Sequence, residues 1–141
     1  MNHRNHFLFV VFLLVMLALI LTACGGDKKP PYFGAFMKDG GDLVELTEMQ
    51  AFGVPNSNEL DGVPIAPNSQ PVIVLWKPDT RLQYLQFFST NPRQELRYNA
   101  DPKDEGIIEL QPVDPLDPGR YCFIQGNPLG MGLPAWCFEV K

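Results

Sequence analysis

The sequence predicts an all-β fold, a small antiparallel β-sandwich, and three observations carry that expectation. All 14 prolines fall between Pro30 and Pro134, so that roughly one residue in eight beyond position 23 is proline, against about 5 per cent in an average chain. Proline inside a helix costs about 3 kcal/mol and in sheets is confined to edges, strand starts and bulges, so this density enforces short strands joined by fixed turns. The apolar residues come in runs of strand length, separated by clusters of Gly, Pro, Asn and Asp. Residues 24–141 have the length of one domain and can bury a single core.

In chain order, the first segment is a leader. Met1 to His6 is a short polar lead carrying one certain positive charge, Arg4, and an uninterrupted apolar run follows from Phe7 to Leu21. That run has the length of a signal-peptide core and falls short of the ~20 residues that a membrane-crossing helix needs. A retained helix also has no use for small residues and a cysteine at its outer end. Leu21-Thr22-Ala23-Cys24, followed by Gly25-Gly26-Asp27, resembles the lipobox of bacterial lipoproteins. The resemblance implies a signal peptide at 1–23, cleavage before Cys24, and acylation of Cys24 by chains such as palmitate. Each buried methylene contributes about 0.8 kcal/mol, so two or more chains hold a protein stably. An aspartate directly after the cysteine would resemble the inner-membrane retention signal of double-membrane cells, but Gly25 stands there. The expected location is therefore a lipid-anchored one facing the extracytoplasmic side, on the outer membrane or, in a cell with one membrane, on its external face.

Residues 24–31 read as the lipidated cysteine and a polar tether ending in Pro30-Pro31, and residues 32–141 as the sandwich domain. Fully extended, that tether reaches about 20 to 25 Å. Tyr32 to Lys38, the turn Asp39-Gly40-Gly41-Asp42, and Leu43 to Leu46 have the signature of a hairpin. This opening also resembles one that recurs in bacterial lipoproteins. Thr47 to Gln70 is loop-like, with at most one short helix or strand. Pro71 opens the run Val72 to Trp76, and Lys77-Pro78-Asp79-Thr80 turns the chain into Arg81 to Phe88, which together read as a central hairpin. A weaker strand is expected over Glu95 to Tyr98 and a clearer one over Gly106 to Leu110, ended by Pro112.

Leu116-Asp117-Pro118-Gly119-Arg120-Tyr121 resembles the tyrosine corner of immunoglobulin-like sandwiches, in which a tyrosine at the start of a core strand holds the preceding corner. In antibody-type domains a core cysteine follows that tyrosine by two positions. Here Phe123 holds that place and Cys122 adjoins the tyrosine, so the family's bridge between sheets is not implied. With Cys24 taken by lipid, Cys122 and Cys137 remain, and an even pair in an exported chain reads as a disulfide, with a free-thiol pair as the alternative. If Tyr121 to Gln125 and Ala135 to Val140 pair antiparallel with Cys122 opposite Cys137, then Tyr121 faces Phe138 and Phe123 faces Trp136. All four aromatics then share one face and the cysteines the other. Gly126 to Pro134 would be the connecting loop; it lacks the lysine and spacing of a phosphate loop.

Composition excludes several functions. Beyond Arg4, ten Lys and Arg face sixteen Asp and Glu, a net charge of −6, and the arginines are scattered among carboxylates, so nucleic acid is not expected as a partner. Both histidines, His3 and His6, lie in the leader. The exported part therefore has no imidazole for a nucleophile–base pair or for His-ligated metals. Asp101, Asp104, Glu105, Glu109, Asp114 and Asp117 are raw material for a carboxylate-based glycoside hydrolase, but they sit in no recognisable frame, and no catalytic residue is assigned. Asp101 to Gly106 offers oxygen ligands for calcium, yet Lys103 interrupts it and the EF-hand spacing fails; no metal or cofactor is expected. Trp76, Tyr84, Phe87 and Phe88 form a candidate binding surface, since aromatics left outside a core can stack on a sugar ring or a peptide. Phe87 and Phe88 are adjacent, so a regular strand sends them to opposite sides. The leading expectation is a binding module for an envelope protein or a glycan, followed by a passive structural component, and then by an enzyme using two carboxylates.

Overall fold

The computed structural model describes residues 28–126 and 133–141. The leader, Cys24 and the first tether residues lie outside this range, as does most of the expected loop between Gly126 and Pro134. The described residues form ten strands: β1 (Gly34–Asp39), β2 (Asp42–Leu46), β3 (Glu48–Ala51), β4 (Ile73–Trp76), β5 (Leu85–Thr90), β6 (Arg93–Leu96), β7 (Tyr98–Pro102), β8 (Ile107–Pro112), β9 (Gly119–Gln125) and β10 (Leu133–Val140). They form two antiparallel five-stranded sheets, ordered β2-β1-β4-β8-β7 and β3-β10-β9-β5-β6. The two sheets make a small antiparallel β-sandwich, in which β4-β8-β7 and β10-β9-β5 run in the same order as strands B-E-D and G-F-C of immunoglobulin-type sandwiches.

The β1–β2 hairpin forms as expected, with Asp39 opposite Asp42 and Gly40 at φ 59° supplying the left-handed turn residue. The β9–β10 pairing has the register derived above: Cys137 opposite Cys122, Phe138 opposite Tyr121 and Trp136 opposite Phe123. The disulfide is formed, with Cα atoms 4.1 Å apart.

Three expectations need correction. No central hairpin exists, because β4 lies in the first sheet between β1 and β8, and β5 lies in the second between β9 and β6. The connection 77–84 includes a 3-10 turn at Leu82–Tyr84 and carries the chain across the sandwich, so the two apolar runs face each other instead of lying side by side. The weak strand at 95–98 is in fact a corner. β6 ends at Leu96 and β7 begins at Tyr98 in the opposite sheet, and both of these residues pack on the same core. Residues 47–70 hold both a strand, β3, and a 3-10 turn at Ser57–Leu60. Within the expected tether, Pro30 is buried and Lys28 pairs with Asp42 on β2.

The main core lies between the sheets and contains Met37, Ile73, Leu75, Phe87, Leu110, Tyr121, Phe123, Trp136 and Phe138. A second cluster lies on the outer side of β9 and β10. There Cys122, Cys137, Ile124 and Ala135 are covered by Ala51 and Leu60, with Val54, Val63 and Phe88 against them. Arg120 pins this cover, donating to the Ser57 carbonyl and pairing with Asp61 at 2.9 Å and Glu139 at 3.4 Å.

The tyrosine corner is present. The Tyr121 hydroxyl donates to the Asp117 carbonyl oxygen at 2.6 Å, and the ring is 6% exposed. Tyr121→Phe removes one neutral hydrogen bond and leaves a part-buried carbonyl without its donor, so a loss of about 1 kcal/mol is expected. Urea unfolding should show a lower midpoint at unchanged slope.

Candidate functional site

The four candidate aromatics lie in different parts of the fold. Phe87 is completely buried, stacked on Phe123 at 4.3 Å between ring centroids, and it is removed from the candidate surface: its place on β5 points it between the sheets. Phe88 takes the opposite side of β5 and packs against the disulfide cluster. Tyr84 ends the 3-10 turn before β5, and its carbonyl accepts from the Gly126 amide at 2.7 Å. Of the four, Trp76, itself half-buried, stands beside the exposed aromatics Tyr32 and Phe33.

That group is built on the outer face of the first sheet. Ala35 and Met37 of β1 point into the core, so strand alternation sends Phe36 outward, together with its partner Val74 on β4. Both are nevertheless buried, because the segment 28–33 lies over this face. Tyr32 packs edge-on against Phe36 at 5.3 Å and its hydroxyl donates to Glu45 at 2.6 Å. Phe33 packs edge-on against Trp76 at 4.6 Å. The Trp76 indole N–H donates to the Glu105 carbonyl at 3.1 Å, and the Lys29 ammonium stands 4.7 Å from the ring centroid. Tyr32 and Phe33 are still 49% and 61% exposed. Sequence reasoning absorbed both into the first strand; the missed signal was an aromatic pair between Pro31 and Gly34.

Four of the six candidate acids are drawn into ion pairs. Lys103 pairs with Asp101 at 2.5 Å and stands 3.8 Å from Glu109, which also pairs with Lys38 at 2.6 Å. Glu105 pairs with Lys29, and Asp114 with Arg97 at 3.1 Å. Among the described residues no group of three or more His, Cys, Asp or Glu side chains is placed to hold a metal ion, and no helix is long and apolar enough to cross a membrane.

The tyrosines respond to these surroundings. The hydrogen bond to Glu45 raises the Tyr32 hydroxyl above its ordinary value near 10.0, while burial raises those of Tyr98 and Tyr121. A folded-state pKa above the unfolded one means that the stabilisation is complete below the unfolded value and is lost as pH rises through the folded one. Stability is therefore expected to fall above pH 10. The unfolding midpoint followed against pH should decline less steeply in a Tyr98→Phe, Tyr121→Phe double variant than in the natural protein. At the acid end, the hydrogen bond from Lys28 holds the Asp42 carboxyl below its ordinary range.

No protein-family model matches the chain, and no curated protein is significantly similar to it.

Proposed function

We propose that the protein is an extracytoplasmic lipoprotein, held to a bacterial membrane through acylated Cys24, whose sandwich domain binds or supports other components of the cell envelope. One observation carries this reading: the sequence Leu21-Thr22-Ala23-Cys24 closing the apolar run from Phe7. The Cys122–Cys137 disulfide supports it, since such bridges persist in oxidising compartments outside the cytoplasm. Contact with an envelope protein ranks above glycan binding. A glycan platform needs flat, open rings, and of the expected set Phe87 lies in the core and Phe88 against the disulfide cluster, while Phe33 packs edge-on against Trp76. A hydrolase ranks lowest, because Asp101, Glu105, Glu109 and Asp114 are engaged in ion pairs.

Growth with radiolabelled palmitate tests the anchor. The natural protein should incorporate label and sediment with membranes, and Cys24→Ser should incorporate none. Incorporation that survives this substitution would falsify the assignment.

A further inference from the structure

We propose that the outer face of the first sheet, where Tyr32, Phe33 and Trp76 gather beside Lys28 and Lys29, rests in the phospholipid headgroup layer of the membrane that holds the domain. This deepens the function proposed above and rests on acylation of Cys24.

The first argument is reach. Only Gly25, Gly26 and Asp27 separate Cys24 from Lys28, and Lys28 is already docked against Asp42. Fully extended, the steps from Cys24 to Lys28 span about 14 Å. An acylated sulfur at the membrane therefore holds the face carrying residues 28–33 against the lipid surface, and the disulfide-bearing side of the second sheet away from it.

The second argument is chemistry. Aromatic side chains with an apolar body and a polar edge favour the boundary between hydrocarbon and water. Tyr32 and Trp76 are of that type, and Phe33 adds a wholly apolar ring that is 61% exposed. Lysine stems lie along such boundaries with the ammonium toward phosphate. Lys28 and Lys29 are balanced by Asp42 and Glu105, so the rings drive the contact and it does not depend on anionic lipid.

The two tryptophans provide the readout. Trp136 is 1% exposed inside the core and Trp76 stands on the proposed face, so a quencher in the bilayer acts on Trp76 alone. The acylated protein is reconstituted into phosphatidylcholine vesicles, with and without lipid brominated near the acyl carbonyl. Loss of tryptophan emission with the brominated lipid is expected, and Trp76→Phe should abolish that loss. Protein that floats with the vesicles while its emission is unchanged by bromine overturns the membrane-facing surface and leaves the anchor standing. Protein that does not float overturns both.

Discussion

Phe87→Ala is expected to lower the free energy of unfolding by about 3–5 kcal/mol, the range found when a buried aromatic ring is removed from a core. Phe87 has no solvent exposure. It sits opposite Phe123 in the β5–β9 ladder and stacks on it, with the Tyr121 and Phe138 rings at 6.0 and 6.2 Å. Its neighbours come from strands fixed on both sides by hydrogen-bond ladders, so they cannot close in on the space that the ring leaves. Part of the cost is lost transfer free energy and part is the residual cavity, and a sheet-bound site retains most of the second. Phe88→Ala provides the internal control. That ring is only partly buried, against the smaller cluster on the outer face, and its loss should cost less. Equal destabilisation of the two variants in urea unfolding would contradict the placement of Phe87 and Phe88 on opposite sides of β5.

The features legible in the sequence were those fixed by local periodicity. For Tyr121-Cys122-Phe123 and Trp136-Cys137-Phe138, one cross-link and a period of two, taken with antiparallel pairing, give the observed register and faces. Asp39 to Asp42 likewise carried its own turn chemistry. The exchange between sheets was not legible. Ile73 to Trp76 and Leu85 to Phe88 have the same apolar character whether they pair with each other or face each other across a core, and nothing in Lys77 to Tyr84 separates a long hairpin loop from a crossing. At Arg97 the strand pattern continues through the corner, because Leu96 and Tyr98 meet one core from two sheets. The covered outer face of the first sheet was missed for a related reason. Gly34-Ala35-Phe36-Met37 and Ile73-Val74-Leu75 are continuous apolar runs, which signifies a sheet covered on both faces. The cover over this face is the segment 28–33, which spans the end of the expected tether and the start of the expected first strand. Continuous runs in β1 and β4 therefore held the information that residues 28–33 dock, although only the three-dimensional arrangement identifies them as the cover.

Removing the disulfide through a Cys122→Ala, Cys137→Ala variant is expected to cost about 3 kcal/mol, the chain-entropy value for a closed loop of some fifteen residues. The sequence separation here is 15. Two features make this bridge matter beyond its loop length. β9 and β10 are central in their sheet, flanked by β5 and β3, so the hairpin that the bridge closes positions Tyr121, Phe123, Trp136 and Phe138 for the whole core. The sulfurs also lie in the second cluster, with Cys122 and Cys137 at 0% and 2% exposure beneath the segment held by Arg120. Their loss therefore loosens the packing under Leu60 as well as freeing the unfolded chain. The same burial predicts a kinetic behaviour: a thiol reductant should leave the folded protein oxidised and act once urea exposes the cystine, and Arg120→Ala should advance that exposure by releasing the cover over Ser57 to Asp61. Thiol labelling against urea concentration measures this directly. A double alanine variant as stable as the natural protein would mean that strand pairing and the aromatic face hold the hairpin without the covalent link, and rapid reduction of the folded protein would mean that the 51–65 segment does not seal the sulfurs.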